Sequence, residues 1–223
     1  MKKIYNYILS LALLLFTFLS VKAQDTAFLK DIQKFKKQDS ISFPPQNAIL
    51  FVGSSSFTKW QDVQSYFPKY KIINRGFGGS TLPDVIRNAN EIITPYQPKQ
   101  VVIYCGDNDL ASSDTVTPRI VTNRFKSLFS IIRLNLPKTN IAYVSIKPSP
   151  SRKQLMSKMK QANLLIKSFL KKQKNTSFID VYKPMLLPGG KPKPEIFLED
   201  SLHMNAKGYA IWKKAIQPHL IKQ

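Results

Sequence analysis

Apolar positions along the chain alternate between short unbroken runs and longer stretches with helical spacing. The unbroken runs are Ile49–Val52, Lys71–Asn74, Gln100–Cys105, Asn140–Ile146 and Ser177–Tyr182. Short apolar runs bounded by glycine, proline, serine or asparagine predict buried strands. Between them lie stretches whose apolar residues recur every three or four positions. Asp25–Lys37 places Phe28, Leu29, Ile32 and Phe35 on one face, and Trp60–Phe67 reads as a short helix. Leu82–Ile93 follows, with Ser80 or Thr81 near its N-cap and Pro83 in its first turn. Thr117–Leu136 shows Ile120, Phe125, Leu128, Phe129, Ile132 and Leu136. Gln154–Lys172 is helical, and Asn205–Gln217 closes the chain with Tyr209, Trp212 and Ile216 inward before Pro218. Strands that alternate with helices and are apolar throughout predict an α/β fold of three α/β/α layers. Its centre is a parallel sheet of about five strands, covered on both faces.

The run Ile49–Val52 leads straight into Gly53, Ser54, Ser55 and Ser56. Ligands of open α/β sheets sit at the carboxyl ends of the strands. A serine there stands beside a cleft and near backbone N–H groups. Taken by itself, this turn reads more readily as a serine capping the next helix.

The first residues form a separate unit. Lys2 and Lys3 precede an apolar run from Ile8 to Leu19, which closes on Val21, Lys22 and Ala23. This is the pattern of a secretory signal peptide over residues 1–23, cleaved before Gln24. The expected product, residues 24–223, is one domain, exported to the periplasm or the extracellular space. A retained anchor is the alternative, although the run falls short of the ~20 residues a span needs.

The 223 residues are 43% hydrophobic, enough for one domain with a sizeable core. The lone cysteine, Cys105, can form no internal disulfide and reads as inert core. The formal charge is +21, and loss of Lys2, Lys3 and Lys22 with a leader leaves +18. Such a charge favours anionic polymers. The lysines are spread along the chain without a dense block, so there is no specific nucleic-acid signature, and a solvated surface explains them as well.

Residues able to do chemistry gather just after strand ends and before the last helix. They are Gly53 to Ser56, Gly76, Gly78, Gly79, Gly106, Asn108, Asp109 and the run Asp200-Ser201-Leu202-His203. A hydroxyl, an imidazole with a nearby carboxylate, and N–H donors are what acyl transfer requires. There is no G-x-S-x-G elbow. The histidines, His203 and His219, have no zinc-ligand spacing, and P-loop and dinucleotide fingerprints are absent. No metal or organic cofactor is expected.

Four blocks in order resemble those of the SGNH hydrolases, the GDSL-type esterases and lipases. They are Gly53-Ser54-Ser55, the Gly76–Thr81 turn with Gly79, Gly106-Asp107-Asn108-Asp109, and Asp200 to His203. The resemblance covers most of the mature chain and implies the flavodoxin-like SGNH hydrolase fold. It implies Ser55 as nucleophile, His203 as general base and acid, and Asp200 as the carboxylate that orients the imidazole. It also implies an oxyanion hole made of the Ser55 and Gly79 backbone N–H groups and the Asn108 amide. The chain departs from the family at Ser54, where the usual residue is aspartate; that aspartate is not the triad acid. Asp109 is expected to be structural, and His219 to lie at the surface or in packing. Arg75, Lys147 and Arg152 are the basic residues expected nearest the cleft, as anion ligands or as surface residues. The implied activity is hydrolysis of small, short-acyl esters, including acylated glycans. Acyl transfer to a sugar hydroxyl and non-catalytic binding of a glycan or polyanion are the alternatives.

Overall fold

The computed structural model describes residues 28–222. The predicted leader therefore lies outside the described residues. Among them, no helix is long and apolar enough to cross a membrane. Five strands form one sheet: β1 (Ile49–Gly53), β2 (Ile72–Gly76), β3 (Gln100–Tyr104), β4 (Asn140–Val144) and β5 (Thr176–Ile179). Their order is β2-β1-β3-β4-β5, and every pairing is parallel. Every residue of β1 and β3 is buried, as expected for strands with helices on both faces.

Eight helices can be numbered in chain order: α1 (Leu29–Ile41), α2 (Ser55–Thr58), α3 (Val63–Tyr66), α4 (Leu82–Ile92), α5 (Asp107–Ser112), α6 (Pro118–Asn135), α7 (Met156–Leu170) and α8 (Ala206–Ile216). Two apolar cores result, one on each face of the sheet. Leu50, Val52, Val101, Ile103 and Tyr143 point to one face and meet Leu82, Phe125, Leu128 and Ile166 from α4, α6 and α7. Phe51, Val102 and Tyr104 point to the other and meet Phe57, Trp60, Tyr209 and Trp212. The aromatic rings of this second core are close-packed, with Trp60 stacked on Tyr209 at 4.7 Å and Tyr104 edge-on to Trp212 at 4.7 Å.

Several boundaries and facings differ from the periodicity. The first helix starts and ends four residues later than expected, and Leu29 is exposed. Only Ile32 is buried in α1, with Phe28 and Phe35 half-buried against the core. In α6 the inward residue is Val121 and Ile120 faces out. The Trp60–Phe67 segment is not one helix. Trp60 fills the core between α2 and α3, and the chain turns around it. Strand β2 runs on through Arg75 and Gly76, because these two pair with Val52 and Gly53.

Candidate active site

Register brings the site to one edge. Gly53 pairs with Gly76 on one side and with Tyr104 on the other, so β1, β2 and β3 end level. The turns that follow carry Ser55, Gly79 and Asn108. At Gly53 the chain has φ 139°, and a Cβ would lie 1.9 Å from the Tyr104 carbonyl oxygen. Only glycine lets β1 turn there into α2. Ser55 is the first residue of α2, so its N–H has no partner within the helix. Gly79 has φ 82°, the left-handed region that disfavours a side chain. Among the described residues, neither the Ser55 nor the Gly79 N–H makes a backbone hydrogen bond.

The three serines are distinguished by burial. Ser54 is 1% exposed and Ser56 is 2% exposed, whereas Ser55 is half-buried. The Ser55 Oγ stands 2.9 Å from His203 Nε2, and His203 Nδ1 stands 2.6 Å from Asp200 Oδ2. The other oxygen of Asp200 accepts the N–H groups of Leu202 (2.9 Å) and His203 (2.8 Å). Burial is the largest single influence and pushes the Asp200 carboxyl up, but the imidazole bond and the two backbone bonds together outweigh it. The net effect holds Asp200 well below the ordinary carboxylate range. It therefore presents an acceptor, which fixes the proton on Nδ1 and turns the lone pair of Nε2 toward Ser55.

The turn 198–203 is closed on itself. Leu198 N–H donates to the His203 carbonyl at 2.7 Å, and Ser201 adopts φ 55°. A bridge between Phe197 and Met204 closes the neck of the turn, and Asn205 caps α8 through Lys207 N–H and Gly208 N–H. The same helix reaches the serine turn, where the Tyr209 hydroxyl donates to the Ser56 carbonyl at 2.9 Å. One helix thus fixes both halves of the hydroxyl–imidazole pair.

Asn108 lies at the start of α5, its amide donating to the Ser80 carbonyl at 3.0 Å, next to Gly79. Its Oδ1 accepts from Arg152 at 2.9 Å. A guanidinium has only donors, so the amide has one possible orientation and its second N–H is free to face the cleft. Asp109 is fully buried, accepting from Leu82 N–H (2.9 Å) and Arg124 (2.8 Å). It ties the N-terminus of α4 to α6. Burial raises its carboxyl, against the opposing effect of both donors.

Of the three basic residues expected nearest the cleft, Lys147 and Arg152 lie against the histidine turn and Asn108, whereas Arg75 does not. Arg75 turns away from the cleft: the guanidinium pairs with Asp39, donates to the Tyr96 hydroxyl at 2.7 Å and stacks over Phe35 and Tyr96. Lys147 is 1% exposed, with its Nζ 2.9 Å from the Leu202 carbonyl. Arg152 is partly exposed and pairs with Asp107 at 3.0 Å. None is a free surface cation, because each finds its partner far away in sequence. Cys105 is buried and its thiol is pushed well up by that burial, in keeping with inert core. His219 is exposed. Ser54 Oγ is buried without a hydrogen-bond partner among the described residues.

The described residues contain no cluster of three or more metal-ligating side chains. A comparison with curated protein sequences returned no match. Solved structures share the fold at low identity. A protein of Streptococcus pneumonia, provisionally called a platelet activating factor, aligns with TM-score 0.75 and 22% identity over 95% of this chain and 99% of its own. A GDSL-like lipase of Bacteroides thetaiotaomicron aligns with TM-score 0.73 and 21% identity over 84% and 96%. A catalytic mutant of an acetylxylan esterase from Geobacillus stearothermophilus aligns with TM-score 0.63 and 16% identity over 80% and 96%. At the level of sequence, the profile of the GDSL-like Lipase/Acylhydrolase family matches residues 39–211. That span runs from the helix before β1 to the helix after His203, so it takes in every strand and all four sequence blocks, and the chain belongs to this family of carboxylic ester hydrolases.

Proposed function

We propose that the chain is an exported serine esterase that cleaves small, short-acyl esters through a covalent acyl-enzyme. The carrying observation is the chain of contacts from Ser55 Oγ through His203 to Asp200, at 2.9 and 2.6 Å. In this reading His203 Nε2 takes the Ser55 proton as Oγ attacks the ester carbonyl. The developing oxyanion is received by the N–H groups of Ser55 and Gly79 and by the Asn108 amide. His203 then gives the proton to the leaving alcohol, and the ester C–O bond breaks to leave Ser55 acylated. Water, deprotonated by the same imidazole, attacks the acyl carbonyl; the bond from that carbon to Ser55 Oγ breaks, the carboxylic acid leaves, and the imidazolium returns the proton to Oγ. Asp200 keeps the tautomer and stabilises the imidazolium.

The acyl donor is expected to be an acetylated sugar. An acetylxylan esterase shares the fold, and the basic surface suits an anionic polysaccharide as the carrier of the ester. The test is labelling by a fluorophosphonate, which reports an activated serine. Wild type should be labelled and Ser55→Ala should not, with p-nitrophenyl acetate turned over faster than long-chain esters. A folded wild type that takes no label would sink the esterase reading. An activity maximum at long acyl chains would reverse the substrate assignment.

A further inference from the structure

Two cations, one buried and one partly exposed, converge on one carboxylate oxygen beneath the site. Arg152 Nη1 lies 3.0 Å from Asp107 Oδ2, and Lys147 Nζ lies 3.9 Å from the same atom. Each cation also reaches one half of the site. Lys147 donates to the carbonyl of Leu202, the residue before His203. Arg152 donates to Oδ1 of Asn108. A parallel strut joins the same segments, since the Ser151 N–H (3.1 Å) and hydroxyl (3.0 Å) both donate to the Ser201 carbonyl. The loop after β4 therefore grips the histidine turn on one side and the Asn108 amide on the other.

We propose that Lys147 and Arg152, joined through Asp107, are positioning residues that hold the general base and the oxyanion donor at a fixed separation. The proposal rests on the roles given above to Ser55, His203 and Asn108. A charged lysine at 1% exposure is expensive to bury, and an apolar side chain of similar size would serve packing as well or better. Its use is to aim a donor at a backbone carbonyl one residue from the imidazole. Arg152 has the matching use, since an amide free to flip would offer its oxygen to an oxyanion.

Protonation gives this role a signature that packing lacks. The Lys147 ammonium is faced by Asp107 of α5, Arg152, Asp200 of the histidine turn and the ring of Phe197, while Tyr104 of β3 lies against its backbone. Burial lowers its ammonium from 10.5 to about 8, Arg152 adds to the lowering, and the two aspartates oppose it. The unfolded chain keeps this proton longer than the fold does. Lys147's contribution to stability therefore rises as pH climbs from about 8 to 10.5. A positioning role requires activity to fall over that interval, as the ion pair with Asp107 is lost. A purely structural role would have activity follow stability.

The test compares Lys147→Met, Arg152→Met and the double variant with wild type and Ser55→Ala. Fluorophosphonate labelling rates are measured from pH 6 to 10 (about four units), with kcat and KM on p-nitrophenyl acetate and thermal unfolding. Each single variant should lose about 10–100-fold in kcat with KM little changed, as misplaced groups do. The double variant should lose little more than either alone, because both act through one carboxylate. Wild type should show a decline above pH of about 8 that is absent in Lys147→Met. Arg152 is partly exposed, so Arg152→Met keeps the test decisive if Lys147→Met does not fold. A labelled wild type beside a folded Arg152→Met with near-normal kcat overturns the positioning role alone. An unlabelled wild type removes the esterase reading and the positioning role together.

Discussion

Ser55 is set apart from its two serine neighbours by what surrounds it. Ser54 and Ser56 are sealed against the core, while Ser55 projects from the first position of α2 toward an imidazole. The resemblance of Gly53-Ser54-Ser55 to the family's first block singled it out, and the short Asp-x-x-His spacing lets one turn carry both of its partners. The environment of Lys147 could not be read that way. A lysine within a Pro/Ser loop reads as an anion ligand or a surface residue, and only the approach of the 198–203 turn and of Asp107 encloses it. Arg75 failed for the same reason, its partner Asp39 being remote in sequence. At Asn108 the residue-scale expectation is sharp. Asn108→Ala removes one oxyanion donor and should cost ~10²–10³ in kcat. It also removes the neutral bond to Ser80, worth about 1 kcal/mol, and the charged bond to Arg152, worth about 1.5–3 kcal/mol, so the melting temperature should fall by roughly 5–15 °C without loss of the fold. Near-normal turnover in a folded Asn108→Ala would take the residue out of the site.

Elements were more legible where pattern alone sets them. The five strands and the four long helices between and after them follow from unbroken apolar runs and helical spacing. Their ends do not, because pairing partners and caps decide them. Strand β2 is longer than its apolar residues because β1 offers Gly53 and Val52 as partners. The helix α1 extends beyond its apolar face because Asp39, in its last turn, is held by Arg75 and the Tyr96 hydroxyl. Burial, with Asp39 adding to it, raises the Tyr96 phenol to about 12, so it remains a donor to that carboxylate. This clamp is what docks α1 on the sheet edge, and Phe28 at its start packs edge-on against Phe77 of the glycine turn at 5.1 Å. Asp39→Ala would leave the Arg75 guanidinium buried and unpaired, which typically costs about 3–5 kcal/mol. The urea midpoint should drop accordingly, with kcat in the surviving folded protein reduced only a few-fold, since Asp39 touches no group of the site. An unchanged midpoint would show that α1 is docked by its apolar contacts alone.

At the scale of the whole molecule, the charge has one location. The buried cations among the described residues are Arg75 and Lys147, and the buried carboxylates are Asp107 and Asp109. These cancel, so the formal excess of +19 among the described residues (31 Lys and Arg against 12 Asp and Glu) is carried on side chains that reach the surface. Several remaining acids are also engaged, Asp39 with Arg75 and Asp84 with Arg87, which leaves exposed lysines with few partners. A surface of this kind attracts polyanions over a range set by the Debye length, about 8 Å at physiological ionic strength. The chemistry at Ser55 is a separate matter, because the His203–Asp200 contact is held at 2.6 Å by direct hydrogen bonding and a small neutral ester carries no charge to be screened. Retention on a sulfated dextran column should therefore be strong at about 50 mM salt and lost by several hundred millimolar, which is what counter-ion screening demands. Turnover of a small neutral ester over the same salt range should change less than about twofold. Elution in the void volume at low salt would mean the lysines are too dispersed to act together, and it would remove the anionic polymer from the proposed substrates while leaving the esterase assignment intact.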